Sequence, residues 1–65
     1  MNNLIRNDIS AYIAINGPSD SRKVIDIMAN RFSTSKQRIS GNISFMVCKA
    51  STLHIIRNYP NSIIY

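Results

Sequence analysis

Residue types that usually stabilise or activate a small protein are scarce in this chain. Its 65 residues include one cysteine, Cys48, and one histidine, His54. A single cysteine excludes an internal disulfide, and without a CxxC or HxxxH pair a structural zinc site is not expected. Glutamate and tryptophan are absent, and the three acidic residues are aspartates in separate segments. Because no acid–base pair or activated nucleophile can be assembled from these residues, we expect no enzymatic activity, no cofactor and no metal.

Long apolar runs are missing as well. No run approaches the roughly 18 residues of a membrane span, and Arg6 and Asp8 stand where a signal peptide would have its apolar core. The apolar fraction of 45% is nevertheless typical of a folded domain. We therefore expect one soluble, cytoplasmic domain spanning residues 1–65, with its cysteine reduced and with no membrane partner.

Positive charge is abundant and unevenly distributed. Eight lysines and arginines face three aspartates, which gives a net charge of +5. Residues 1–26 carry equal numbers of each sign, so the whole excess lies in residues 27–65. A one-sided basic excess on a small domain indicates a polyanionic partner, most often nucleic acid, although basic ribosomal and membrane-surface proteins share this feature.

The spacing of apolar residues predicts three helices, at about residues 3–16, 21–32 and 36–49. Asn2 or Asn3 is expected to cap the first helix, and Gly17 with Pro18 to end it.

Clusters of capping residues precede the other two helices, Ser-Asp-Ser at 19–21 and Ser-Thr-Ser at 33–35. The interval before the third helix is so short that it predicts a helix-turn-helix. Residues 53–57 and 63–65 are rich in β-branched side chains. The segment 58–62 between them, with Pro and Asn placed as in a β-turn, predicts a hairpin with its turn there.

This order of elements, mainly α with a small β-hairpin, resembles a three-helix winged helix-turn-helix domain over nearly the whole chain. The resemblance rests on the following residues: Gly17, Pro18, Val24, Met28, Phe32, Ser33, Thr34, Ser35, Ile39, Ile43, Met46, Val47 and the segment 53–65. It implies a small transcriptional regulator of the kind common in bacteria and phages, with a hairpin tip that touches the minor groove or the phosphate backbone. Two features depart from the family: Lys-Ala-Ser-Thr replaces the usual glycine at 49–52, and Gly41 lies inside the third helix at a cost of about 1 kcal/mol.

The predicted DNA-binding residues lie at helix starts, on the third helix and near the hairpin tip. Helices two and three begin with basic residues, against the preference of the helix dipole, as phosphate-binding helices do. The outward face of the third helix is short and polar, with Asn42 toward its flank, and Gln37 could pair with adenine and Lys36 or Arg38 with guanine or phosphate. The whole set is Arg22, Lys23, Ser35, Lys36, Gln37, Arg38, Ser40, Gly41, Ser44, Arg57, Asn58 and Asn61. The alternative is that these residues form an ordinary solvated surface.

Five other residues have structural interpretations. Cys48, near the end of an apolar helix, is expected to be a small core residue. His54 is expected to be structural or exposed, Arg31 to be a helix-end charge, and Tyr12 and Tyr65 to lie in the core or an interface.

The main functional prediction is sequence-specific binding of double-stranded DNA by a repressor-like regulator, with the third helix in the major groove. Because one such module buries only about 600–1,000 Å² on DNA, we expect a two-fold homodimer on a palindromic site, joined through Leu4, Ile5 and Tyr12. The alternative is a winged-helix interaction module or inhibitor that binds an acidic surface of a host protein. An RNA-binding role would need more exposed aromatic residues, and no small-molecule ligand is expected.

Overall fold

The computed structural model describes residues 1–58 and 61–65, and this part of the chain forms three helices and three short strands. These elements are α1 Asn2–Asn16, β1 Ser19–Asp20, α2 Ser21–Arg31, α3 Lys36–Cys48, β2 Ile55–Asn58 and β3 Asn61–Ile64. The strands form an antiparallel sheet in the order β1-β3-β2. The expected fold class, mainly α with a small hairpin, is confirmed. Within the described chain no helix is long and apolar enough to cross a membrane.

The start of α1 differs from the prediction. Its N-cap residue is Met1, and no side chain caps the helix, so the expectation that Asn2 or Asn3 would do so is wrong. The Asn2 amide faces α3 instead, where its Oδ1 accepts a hydrogen bond from Nδ2 of Asn42 at 3.4 Å. The end of α1 lies before Gly17 as predicted, and the N–H of Gly17 closes the last helical turn. The left-handed helical conformation expected for this glycine is not adopted, because its φ of +73° is combined with a ψ of −159°.

The other two helices begin at side chains from the predicted capping clusters. Asp20 accepts a hydrogen bond from the N–H of Arg22 at 2.9 Å. Ser35 accepts one from the N–H of Arg38 at 3.2 Å. Each cap satisfies one of the N–H groups that a helix start leaves without an internal partner.

A tight turn connects α2 to α3. Ser33 has a φ of +51°, the left-handed conformation. The N–H of Ser33 donates to the carbonyl of Asn30 at 3.3 Å, and that of Thr34 donates to the carbonyl of Ala29 at 3.0 Å. This pair of bonds is a Schellman motif, which ends α2 and leaves Ser35 in position to start α3.

Strand β1 is not among the predicted elements. Its two residues pair with β3, with Ser19 opposite Ile64 and Asp20 opposite Ile63. Two residues carry no periodic pattern, so this strand exists only because the end of the chain returns to lie beside it.

The predicted hairpin is formed by β2 and β3, in a register that runs from Ile55 opposite Ile64 to Asn58 opposite Asn61. His54 and Tyr65 extend the ladder with two mutual backbone hydrogen bonds of 2.8 and 3.0 Å. Asn58, Asn61 and Ser62, which the sequence places in the turn, belong to the strands instead, because their backbones continue the ladder. Tyr59 and Pro60, the other two residues of the predicted turn, lie outside the described residues.

The core lies between the three helices and the hairpin. Its buried apolar residues are Ile5, Ile9, Ile13, Val24, Met28, Ile39, Ile43, Met46, Leu53 and Ile64. Each fully buried side chain of this kind is worth about 1.5–3 kcal/mol, and with no disulfide these contacts carry the stability of the domain.

Two expectations about burial are wrong. Cys48 is exposed, because the helical repeat places it on the outward face of α3, four residues beyond Ser44 and seven beyond Gly41. Ile5 is fully buried in the core, so it is not available to the dimer interface that the sequence predicts. Tyr12 is half-buried and packs against the same core.

Candidate nucleic-acid interface

The outward face of α3 consists mainly of short and polar side chains. Its exposed residues are Lys36, Gln37, Ser40, Gly41, Ser44 and Cys48. They point away from the protein because Ile39, Ile43 and Met46, on the opposite side of the helix, are buried in the core. A helix whose outward side chains are this short can come close to the floor of a major groove.

The fold does not require glycine at position 41, in the middle of this face. It lies within regular helix, and a Cβ at this position would meet no atom within 4 Å. Alanine would therefore fit and would favour the helix by about 1 kcal/mol. Nothing in residues 1–58 and 61–65 explains the glycine, whereas a partner that approaches α3 closely from outside would.

Two open depressions flank the N-terminal half of α3. The first, the α1–α3 cleft, has a volume of about 540 Å³ and is lined by Asn2, Arg6, Ser35, Gln37, Arg38, Gly41, Asn42 and Phe45. The second, the α2–α3 cleft, has a volume of about 370 Å³ and is lined by Arg22, Ile25, Asp26, Lys36, Gln37 and Ser40. Gln37 lines both, so it stands on the ridge between them.

The α2–α3 cleft brings together predicted residues from the starts of two helices. Arg22 of α2 lies in the same depression as Lys36, Gln37 and Ser40 of α3. Lys36 Nζ lies 3.0 Å from Oδ1 of Asp26, and the two side chains are 72% and 61% exposed. A pair this exposed is worth at most about 1 kcal/mol, so Lys36 can exchange Asp26 for another anion at little cost.

Asn42 organises the α1–α3 cleft, although the sequence analysis placed it only toward the flank of the helix. It is 4% exposed. Its Oδ1 accepts a hydrogen bond from Nε of Arg6 at 2.8 Å. Its Nδ2 donates to the carbonyl of Arg38 at 2.8 Å and to Oδ1 of Asn2 at 3.4 Å. These bonds satisfy an amide whose burial without partners would cost about 1–3 kcal/mol.

Arg6 is a residue of this site that the sequence analysis missed. Its guanidinium carbon lies 3.8 Å from the centre of the Phe45 ring, a cation–π contact. The available signal was its place on α1, three residues before Ile9 and seven before Ile13, which puts a cation beside the apolar face.

The remaining predicted site residues lie outside both clefts. Lys23 at the start of α2 and Ser44 on the outward face of α3 are exposed. Arg57 in β2 and Asn61 in β3 are also exposed, on the hairpin. The backbone of Asn58 pairs with that of Asn61, and its side chain is outside the described part of the structure.

All three aspartates are engaged within the described chain. Asp8 forms an ion pair with Arg31 that links α1 to α2, Asp26 pairs with Lys36, and Asp20 caps α2. Six basic side chains have no carboxylate at ion-pair distance among residues 1–58 and 61–65: Arg6, Arg22, Lys23, Arg38, Lys49 and Arg57. The positive charge is therefore carried on the surface without compensation.

His54 and Tyr65 belong to neither of the two clefts. His54 is exposed, and its ring stacks on that of Tyr65 with centroids 5.2 Å apart.

Comparisons of the chain with protein-family models, with curated proteins and with solved structures found no match. The assignment of a function therefore rests on the residues and geometry described above.

Proposed function

We propose that this protein binds double-stranded DNA sequence-specifically, as a winged helix-turn-helix domain acting as a small cytoplasmic transcriptional regulator. The observation that carries the proposal is the outward face of α3, which has short polar side chains. At its centre lies Gly41, a glycine that the fold does not require. The excess of uncompensated positive charge supports a polyanionic partner. The chain order, with β3 paired between β1 and β2, supports the resemblance to winged helices.

In this proposal α3 enters the major groove with its N-terminal half nearest the bases. Gln37, on the ridge between the clefts, reads adenine through its amide, and Arg38 or Lys36 reads guanine or holds a phosphate. The short side chains of Ser40, Gly41 and Ser44 let the helix backbone come close enough to the bases for these contacts to form.

The start of α2 holds the DNA backbone beside this helix. Arg22 lies in the α2–α3 cleft with Lys36, so one phosphate can be shared by both cations once Lys36 leaves Asp26. Such contacts fix the position of a protein on the duplex and make its affinity depend on salt. Arg57 on the hairpin, with Asn58 and Asn61, supplies a backbone contact on the wing side.

We expect the functional unit on DNA to be a two-fold dimer. Because Ile5 belongs to the core, the surface of α1 available for pairing is its outer side, where Leu4 is 63% and Ile15 is 82% exposed. These residues are eleven positions apart, which places them on one face of the helix.

The experiment that tests the proposal is fluorescence anisotropy with two labelled duplexes, one from upstream of the protein's own gene and one scrambled, over a series of salt concentrations. Tight binding to the first alone, with a steep loss of affinity at higher salt, is the expected result. Equal weak binding to both would overturn sequence-specific recognition and favour a protein partner with an acidic surface.

A double variant, Lys36→Ala with Gln37→Ala, tests the recognition helix. It should abolish specific binding but stay folded, because it removes only exposed side chains and a weak ion pair. Lys49→Ala, at the opposite end of α3, removes one charge as well and should bind nearly as the wild type does. Equal specific affinity in the double variant and the wild type would show that α3 is not the reading element.

A further inference from the structure

Arg6 is held in place before any partner binds. Its Nε donates to Oδ1 of Asn42 at 2.8 Å, and its guanidinium lies against the Phe45 ring. A guanidinium carries donors on all three nitrogens, so both Nη groups remain to bind a ligand. Because the side chain is already ordered, little conformational entropy is lost when they do.

A second guanidinium lies in the same cleft. Arg38 donates from Nη1 to Oδ1 of Asn2 at 3.5 Å, and the same oxygen accepts from Asn42 at 3.4 Å. The amides of Asn2 and Asn42 together thus connect the two guanidinium groups. Ser35, the N-cap of α3, lines the cleft too, so the positive end of the helix dipole adds to their field.

No carboxylate compensates these charges, since the residues lining the α1–α3 cleft in the described structure include none of the three aspartates. Arg31 and Lys36 show that cations elsewhere in this chain do pair with aspartate. Two arginines gathered in one depression without an anion repel each other, and a bound oxyanion would remove that repulsion. The forked guanidinium matches the geometry of phosphate in particular.

The position of the cleft indicates the source of the phosphate. Gln37 and Gly41 belong both to the cleft and to the outward face of α3. A duplex seated on that face brings its backbone alongside, because phosphates border the groove whose bases a helix reads.

We propose that the α1–α3 cleft is a phosphate-binding site in which Arg6 and Arg38 hold one backbone phosphate of the bound DNA. This inference rests on the proposed function and adds α1 to the interface. It makes Arg6 a DNA-binding residue, with Asn42 and Phe45 as the groups that position it.

The first arm of the test uses the wild-type protein and inorganic phosphate. Phosphate replaces chloride at constant ionic strength, while ¹⁵N spectra follow the Arg6 Nε–H and Asn42 side-chain amide signals. Saturable shifts of these signals are expected, with the side-chain amide of Asn16, at the opposite end of α1, as the reference that should not move.

The second arm measures duplex affinity and salt dependence for Arg6→Gln, Arg38→Gln and the charge-matched control Lys49→Gln. Each cleft variant should weaken binding about tenfold or more and lower the slope of log affinity against log salt by about 1. The control should change affinity less than about twofold. Circular dichroism establishes that each variant is folded, and Arg38→Gln remains informative if Arg6→Gln unfolds.

The outcomes separate this inference from the proposed function. If the wild type binds the duplex but neither cleft variant differs from Lys49→Gln, the phosphate site is overturned and the recognition helix stands. If the wild type binds no duplex but phosphate shifts the Arg6 and Asn42 signals, DNA binding is overturned and the cleft is a site for another phosphate compound. If neither occurs, both proposals are overturned.

Discussion

The two glycines of this chain serve different purposes. Gly17 has a φ of +73° and a ψ of −159°, a conformation that essentially only glycine adopts. Gly41 lies in regular helix, where glycine is the less stable choice. Neither would clash with an added Cβ, since no neighbouring atom of the described residues lies within 4 Å at either position. The backbone alone therefore explains Gly17, and it leaves Gly41 to be explained by a partner.

Gly41→Ala is expected to raise stability and lower DNA affinity together. The methyl group should stabilise α3 by about 1 kcal/mol, which raises the melting temperature by roughly 4–8 °C for a domain of this size. The same group would intrude into a close contact with the bases, at a cost of about 1–3 kcal/mol, which lowers affinity by about fivefold to 150-fold. Thermal unfolding and anisotropy on one sample measure both effects.

Gly17→Ala is the matched control for this prediction. It should destabilise the domain by about 1–3 kcal/mol because of its backbone conformation, and the folded variant should bind DNA as the wild type does. If Gly41→Ala is more stable and yet binds DNA as tightly as the wild type, α3 does not approach the bases closely.

At the scale of elements, the turn between α2 and α3 determines where the two helices end and begin. It places Ser33 in the left-handed conformation, at the position after the helix end where glycine is usual. Ser51, after α3, is in the same region with a φ of +53°. A second position shortly after a helix therefore has the backbone conformation that favours glycine, and here too the residue is serine.

Ser33→Gly should therefore stabilise the domain by up to about 1 kcal/mol, since the strain it relieves exceeds the extra freedom of the unfolded chain. Thr34→Gly, one residue later in the same turn, should be destabilising because its φ is not in the left-handed region. Urea unfolding of both variants measures the difference. Stabilisation by Thr34→Gly, or a loss of stability in Ser33→Gly, would contradict this account of the turn.

The helices and the hairpin could be predicted from the sequence because their signals are local. Apolar spacing and capping clusters placed the six helix ends within one residue of those observed. Strand β1 and the uncapped start of α1 could not be predicted. Both depend on residues far along the chain: Ile63 and Ile64 for β1, and Asn42 for the side chain of Asn2.

At the scale of the whole molecule, the distribution of charge along the chain differs from its distribution in space. The sequence places all the excess charge in residues 27–65. In the folded molecule, Arg6 joins Arg38 in one cleft, and Arg22 joins Lys36 in the other. The neutral segment, residues 1–26, therefore contributes cations to both sides of α3. Of its aspartates, Asp8 pairs with Arg31, Asp20 caps α2 and Asp26 pairs with Lys36.

We expect two protomers to occupy one palindromic duplex, since a single module of this size covers little DNA. Sedimentation velocity with labelled duplex at increasing protein concentration measures this stoichiometry. Leu4→Gln with Ile15→Gln should weaken occupancy by the second protomer, because it removes exposed apolar surface from α1. Ile56→Gln, an equally mild change at an exposed residue of β2, should have no effect. One protomer per duplex at saturating protein would contradict the dimer.

The sequence by itself determined the order of the three helices and the hairpin, most of the inward residues of each helix and the polar character of the α3 face. Each of these depends on a repeat of 3.6 or 2 residues or on a neighbouring cap, which are properties of short segments. Only the tertiary structure decided that β1 forms, that the side chain of Asn2 faces α3 and that Arg6 belongs beside α3. Arg6 and Asn42 are 36 residues apart, and a contact over that distance forms only when α1 packs on α3. A local pattern carries no information about which helix will cover which, so the α1–α3 cleft is a product of packing.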